Sequence, residues 1–461
     1  MLVAPPTLSG PRGRVIQTKY LTALLMGLMY GLQAAASEST QIAVAGKVIT
    51  HRHVSGEGEN QVIIGEHVDD FILEFEFRQN AGAPFAAIQF RSQEPMGSSY
   101  HFSLWGSGPA GPGAVSEPGC RGLLYPLTLS PAASNAARSG EWNRFRIEMI
   151  GTSIRTSVND QPVAHVIDKA RSDGRIAFQL SPANRDSSAG IQTEWRSVRL
   201  LTSNLQPSPP DATLIRNLLH NQLSESERIQ GWKLLWDGLT STGWRGAHRT
   251  TFPAGGWRIE NGELVLAATP VGEKRPGGDL VTEELFSAFE LQFEFKLTAG
   301  ANSGVKYFVT EDFKPASGIT AIGLEYQLLD DEKHPDAARG ANGNRKLASL
   351  YDIIPATPPP SEPGLAPVIG HWQHARIVVY PNQQVEHWLN GVRVVDYVRG
   401  SAAYADAVAS SAYAKFPRFG LAEAGRILLQ DHGDEVRFRS IKLRTLTPTD
   451  APSTSANPRS P

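Results

Sequence analysis

Near the end of the chain, Gly425-Arg-Ile-Leu-Leu-Gln-Asp-His-Gly433 runs an apolar stretch straight into an amide, a carboxylate and an imidazole. Side chains on extended backbone alternate between faces, so Ile427, Leu429 and Asp431 share one face while Leu428, Gln430 and His432 share the other. His432 titrates in the neutral range and stands at a strand exit, which suits proton transfer; the alternative is a turn histidine whose ring only ties down its loop. The next run, Val436-Arg-Phe-Arg-Ser-Ile-Lys-Leu443, folds back as a hairpin and adds Arg439, a partner for a carboxylate or a ligand hydroxyl.

Three further runs carry ionisable residues at strand spacing. In Phe289–Lys296 the phenylalanines and Leu291 take one face and leave Glu290, Gln292, Glu294 and Lys296 on the other. That polar face is either a solvated sheet surface or the wall of a binding concavity. Gly304–Val309 sets Lys306 against Val305 and Tyr307, and Leu324–Leu328 sets Glu325 and Gln327 against Leu324, Tyr326 and Leu328. With the apolar residues committed to a core, Lys306, Glu325 and Gln327 are expected on one concave face, where the lysine and glutamate form either a plain cross-strand ion pair or a catalytic pair. Asp279, after two glycines, and Asp330, at the end of the Glu325 strand, are either turn formers or pocket residues. Trp388 is either a stacking surface at the mouth or framework packing. The acidic loop from Asp330 to Asp336 raises a divalent cation such as calcium, but it lacks the spacing of an EF-hand, and no His-Glu-x-x-His occurs for zinc. No cofactor is therefore required.

The elements that position these residues are strands. From residue 40 the chain is built of short alternating segments rich in Val, Ile, Phe and Tyr, punctuated by Gly, Pro, Asn and Asp, which predicts an all-β sandwich or barrel. Residues 211–231 are the exception, with two short helical turns expected, the second opening on a capping box of Ser224 and Glu227. On either side of this linker the chain repeats itself in order. Phe71-Ile-Leu-Glu-Phe-Glu-Phe77 parallels Phe289-Glu-Leu-Gln-Phe-Glu-Phe295, and Gly174-Arg-Ile-Ala-Phe-Gln-Leu180 parallels Gly425-Arg-Ile-Leu-Leu-Gln-Asp431. The first copy has Leu180-Ser-Pro182 where the second has Asp431-His-Gly433, so the polar cluster, and with it the chemistry, is expected in the second copy.

A net charge of -2 offers no basic field for nucleic acid or an anionic membrane surface. Arg12, Arg14 and Lys19, the apolar run Leu21–Leu32 and the small residues up to Ala36 predict a secretory signal peptide over 1–36, its apolar run of about a dozen residues being shorter than the roughly 20 needed to span a bilayer. A periplasmic or secreted protein follows, with no intrachain disulfide because Cys120 is the only cysteine.

Eight motifs of the second copy occur in a family order: Gly231-Trp-Lys-Leu-Leu-Trp-Asp-Gly238, Gly243-Trp244, Trp257-Arg-Ile-Glu-Asn-Gly262, Gly277-Gly-Asp-Leu280, Asn302-Ser-Gly304, Leu324-Glu-Tyr-Gln-Leu-Leu-Asp330, His387-Trp-Leu-Asn-Gly-Val392 and Gln430-Asp-His-Gly433. Together they resemble the 3-keto-disaccharide hydrolase domain family, similar in fold to concanavalin-like lectins and glucanases. The resemblance implies two tandem concanavalin-like jelly-roll β-sandwiches, a divergent copy over 40–203 and the clear family member over 229–445; a short helical linker is expected over 204–228, after Pro207, Pro209 and Pro210, and a disordered tail over 446–461. It also implies a carbohydrate substrate oxidised at C3 of a glucosyl unit. A ketone there acidifies the C2 hydrogen, so a base can remove it, the C1 oxygen leaves by elimination, and water then adds across the double bond. On that reading His432, Glu325 and Lys306 are the catalytic set, Lys306 polarising the ketone, while Asp279, Glu294, Gln327, Asp330, Trp388, Gln430 and Arg439 hold the sugar. A non-catalytic lectin-like protein and an ordinary glycosidase with paired carboxylates are the alternatives. The Glu-x-Asp-x-x-Glu strand usual in glucanases of this fold is missing.

Overall fold

The computed structural model describes residues 49–52, 60–79, 86–92, 99–180, 192–270, 272–312 and 321–450. The expected signal peptide and most of the expected tail lie outside the described residues. Among the described residues the architecture is largely β-sheet, of jelly-roll type, with helical segments few and short.

Residues 49–217 form a seven-stranded and a six-stranded sheet, and residues 233–445 form an eight-stranded and a five-stranded sheet. The internal repeat of the sequence has a direct counterpart in strand order. Phe71–Gln79 lies between Gln192–Leu201 and Asn143–Ile150, as Phe289–Leu297 lies between Val436–Thr445 and Gln373–Val379. Irregularities recur as well. Ser197 and Ser440 both take a left-handed conformation with φ of 53°, each at a bulge in the last long strand of its half. Gly174 opens a strand and Gly425 stands just before one, each where a Cβ would run into the backbone of a neighbouring strand, at Arg91–Ser92 and at Phe308–Val309 respectively. Only a residue without a side chain permits that approach.

Each half buries its apolar faces between its two sheets. The larger cluster in the second half joins Phe289, Leu291, Phe293, Phe295, Ile377 and Leu443 of the eight-stranded sheet to Val305, Tyr307, Leu324, Tyr326, Ile427 and Leu429 of the five-stranded one. Since these alternate positions are committed to the core, Lys306, Glu325, Gln327, Leu428 and Gln430 point away from it, on the outer face of the five-stranded sheet.

The linker differs from expectation in part. Glu225–Ile229 is helical and its capping box is present, with Ser224 and Glu227 exchanging bonds as the pattern requires. The first expected helical turn is instead the strand Ile215–Asn217, paired parallel with His165–Ile167 at the edge of the seven-stranded sheet. Edge hydrogen bonds offered by a neighbouring strand outweigh the weak helical periodicity of a segment this short.

Candidate functional site

The five-stranded sheet has the order Trp244–Gly246, Leu280–Thr282, Arg426–Leu429, Asn302–Thr310, Ile322–Leu329. Its register sets Lys306 directly across from Glu325, with Nζ 3.5 Å from Oε2. Glu325 is only 4% exposed. Gly304, the neighbour of Lys306 on the same face, makes room for it: a Cβ there would overlap the Glu325 carboxylate and lie 2.8 Å from Cδ. Asp279 reaches the same region from the turn before Leu280, where its Oδ1 accepts the Asp431 N–H at 2.8 Å. Asp431 completes the turn by accepting the Gly278 N–H at 2.7 Å.

The electrostatics of this group are those of two carboxyls around one ammonium in a desolvated setting. Burial pushes the Glu325 carboxyl up, against the opposing pull of Lys306, and the charge of Asp279 adds to the rise. Burial likewise raises Asp279, again opposed by Lys306. One cation cannot fully compensate two carboxylates, one buried and one half-buried, so a proton is held on the pair at higher pH than on free carboxylic acids.

Around these charges lie polar atoms with nothing to bind. Gln327 Oε1, Gln430 Oε1 and Ser349 Oγ are buried and have no hydrogen-bond partner among the described residues. Gln327 directs its amide nitrogen to Asn302 Oδ1 at 3.4 Å, which leaves its oxygen as the free acceptor. Buried acceptors of this kind are costly unless something donates to them, and hydroxyl groups are suitable donors.

Two segments that sequence reasoning passed over wall the face. Residues 348–351 run beside the Glu325 strand, with Ala348 N–H donating to Gln327 O and Tyr351 N–H to Glu325 O. Arg345 bridges Asp336 at 3.1 Å and Asp352 at 2.6 Å, Tyr351 donates its hydroxyl to Asp336 at 2.8 Å, and Asp352 in turn accepts the Ala412 N–H at 2.8 Å. This network holds Tyr413 so that its hydroxyl lies against Glu325 and favours the charged carboxylate. Nothing in the spacing of Tyr413 or Arg345 signals this, because Arg345 lies in an irregular loop and Tyr413 in the short 3-10 turn Ala412–Lys415, and only tertiary contacts bring them to the sheet.

Several expected site residues lie elsewhere. Glu294 belongs to the eight-stranded sheet, where it pairs with Arg439 at 2.8 Å, Ser440 at 3.2 Å and His220 at 3.3 Å. Burial would raise this carboxyl, but the hydrogen bond from His220 and the charges of Arg439 and Arg216 hold it down at about 2. Arg439 is stacked over Trp372, 3.8 Å from its centroid. Trp388 is on the same sheet, donating to Glu386 at 2.8 Å beneath the Arg376 guanidinium. This sheet faces the first half of the chain, where Thr128 Oγ1 donates to Gly391 O at 2.6 Å and Leu123 N–H to Pro363 O at 3.0 Å. The polar stripe of Glu290, Gln292 and Glu294 is thus an ion-paired face beneath other parts of the chain and not part of the Lys306–Glu325 face. The physical reason is that alternation assigns residues to a face of their own sheet but says nothing of which sheet that is. Asp330 uses its carboxylate on the N–H groups of Gly300, Glu332 and Lys333, the turn-forming role.

His432 groups with a second cluster. Its ring packs edge-on to His334 with centroids 6.0 Å apart, and burial together with the nearby Arg275 lowers its pKa. His334, His432 and Asp434 place ligand-type atoms within 4.8 Å of one another, an arrangement that can hold a metal ion.

The sequence profile of the family described as 3-keto-alpha-glucoside-1,2-lyase-like domain matches residues 31–201 and again 231–444. A 3-keto-disaccharide hydrolase of Bacteroides thetaiotaomicron is 36% identical over 235 residues, which is 47% of this chain and 79% of that protein. Among solved structures, a candidate glycosyl hydrolase of Parabacteroides distasonis is 26% identical with a TM-score of 0.42, over 50% of this chain and 100% of that one. A carbohydrate-binding module of Bacillus subtilis, 12% identical, covers 33% of this chain and 84% of that one at a TM-score of 0.22. With both halves matched by one profile and most of a 36% identical relative spanned, the chain belongs to the 3-keto-alpha-glucoside-1,2-lyase-like domain family.

Proposed function

We propose that the protein is an exported carbohydrate-active enzyme that cleaves 3-keto-glycosides on the outer face of its second, five-stranded sheet, by elimination followed by hydration. The observation that carries this reading is the group of buried Glu325 with half-buried Lys306 and Asp279, in which one ammonium pulls on two carboxyls that burial raises above their ordinary values. Such a group supplies the three things the reaction needs. Glu325 as carboxylate takes the C2 proton, and the electron pair forms the C1=C2 bond conjugated with the ketone. Lys306 stabilises negative charge as it develops on the C3 oxygen. Asp279, protonated, donates to the C1 oxygen as the C1–O bond breaks and the leaving group departs with that electron pair. Water then adds its oxygen to C1 and a proton to C2, so the net change is hydrolysis with no oxidation or reduction.

The unpartnered oxygens of Gln327 and Gln430 support a hydroxyl-rich ligand on this face. The name of the Bacteroides thetaiotaomicron relative supports the keto-sugar class. The first half, which packs toward the ion-paired sheet, serves as a brace for the second, and the basic and apolar segment up to Ala36 serves export.

The test is turnover of 3-keto-glucosides beside their unoxidised parents in deuterium oxide. Release of the leaving group from the keto forms alone, with deuterium at C2 of the product, is the expected result. Cleavage of the parents without deuterium at C2 would instead identify an ordinary glycosidase, and binding without turnover a lectin-like protein.

A further inference from the structure

From the juxtaposition of His334, His432 and Asp434 we infer a binding site for a single first-row divalent transition cation, beside the polar face but separate from the Lys306–Glu325–Asp279 group. The three side chains come from two segments: His334 caps the short turn Pro335–Ala338, while His432 and Asp434 stand two residues apart in the connection between the strands Arg426–Leu429 and Val436–Thr445. All three are half-buried. Two imidazoles and one carboxylate are the donor set that first-row divalent ions favour, whereas calcium favours an all-oxygen shell. Three protein ligands also leave coordination positions open.

The surroundings hold two of the ligands in place. Asp434 is anchored by one oxygen, Oδ2, which accepts the Asn302 N–H at 3.0 Å, and its other oxygen remains for an ion. Asn302 in turn binds Gln327, which ties the cluster to the polar face. The strand exit bearing His432 is fixed by Ser303 Oγ, which donates to Gln430 O at 2.9 Å, and by Arg275, which donates to Asp431 O at 2.8 Å. His334 must adjust. Its Nδ1 accepts the Asp336 N–H at 3.2 Å, so coordination through Nε2 moves the ring proton to Nδ1 and gives up that one long bond. Donor atoms 4.8 Å apart or less also have to close by about 1 Å or somewhat more to meet an ion that takes nitrogen and oxygen at about 2.1 Å. Arg275 is the cation facing the site, opposed by Asp434 itself, while the Asp336 carboxylate is already taken by Arg345 and Tyr351. Micromolar affinity is expected under that balance.

The experiment uses the full protein, stripped with chelator and titrated with Co²⁺ under calorimetry and visible absorption. One equivalent should bind, with a cobalt spectrum showing nitrogen ligation. His334→Ala, His432→Ala and Asp434→Asn should each weaken binding at least tenfold, as loss of a ligand requires, while His371→Ala, at an exposed position, leaves it unchanged. Asp434→Asn keeps an acceptor for the Asn302 amide, so it reports on the ion even if either alanine variant melts early. No stoichiometric binding by the native protein, or affinity for Asp434→Asn within threefold of native, overturns the site.

Discussion

Replacing Gly304 with alanine tests the candidate active face at its narrowest point. The added Cβ would lie 2.8 Å from Glu325 Cδ and 2.9 Å from Cγ, with the carboxylate oxygen closer still. Ordinary contacts begin near 3.4 Å, so the carboxylate has to retreat by roughly 1 Å. The backbone is not at issue, because Gly304 is not among the residues with positive φ. Overpacking costs about 1–3 kcal/mol, offset in part by about 0.4–1 kcal/mol from the stiffer unfolded chain. Folding should therefore survive. A catalytic base displaced by about 1 Å loses on the order of 10²-fold in rate, equivalent to about 2.7 kcal/mol in the barrier. The assay is kcat and KM for a 3-keto-glucoside, read against the melting temperature of each variant. The expected result is a hundredfold fall in kcat with KM within a few fold, and Glu325→Gln added on top should cost little more, because the two changes disable the same group. Retention of kcat within threefold, or a full further loss in the double variant, would refute the assignment of Glu325 as the base.

Because Glu325 is raised above its ordinary value of 4.5, the acid limb of the rate profile should lie above that pH and disappear in Glu325→Gln, as kcat/KM measured across pH will report. The same shift has a sign for stability: the folded carboxyl holds its proton more tightly than the unfolded one, so its contribution is present below pH 4.5 and is lost as pH rises through the folded pKa, which denaturant melts of native protein and Glu325→Gln will resolve. Glu290 behaves in the opposite sense. Burial opposes its ionisation, yet Arg376 at 2.5 Å and Arg444 at 2.7 Å hold it at about 2, so Glu290→Ala should cost about 3–5 kcal/mol at neutral pH, and the native advantage should fade as pH drops from 4.5 toward 2. Gln327→Leu should raise KM roughly tenfold or more, because the shape is kept while the free acceptor is lost; Trp388→Phe should leave KM unchanged and lower only the melting temperature. Gly425→Ala should destabilise by more than Gly304→Ala, since its Cβ meets the Phe308 backbone, which cannot swing aside as a carboxylate can.

Much of this molecule is written locally. Alternation along Gly304–Val309 and Leu324–Leu328 is enough to put Lys306, Glu325 and Gln327 on the polar side of their strands, because a strand's period is two and its apolar residues must be buried. The doubled Phe-rich strand, the paired glycines Gly174 and Gly425, and the Ser224–Glu227 cap are likewise visible as residues before any strand is placed, since each is a short-range steric or hydrogen-bonding requirement. What the local pattern leaves open is the partner. The alternation that marks Lys306 and Glu325 marks Glu290 and Glu294 equally well, and only the pairing of Phe289–Leu297 with Gln373–Val379 and Val436–Thr445 puts the latter on the eight-stranded sheet among arginines. Tertiary structure alone brings Asp279 and Asp431 together across 152 residues, leans Tyr413 on Glu325, and sets His432 beside His334. Sequence determines the face a side chain presents, through the geometry of the backbone; long-range strand pairing and loop packing determine what that face meets, because they depend on the whole chain's burial at once.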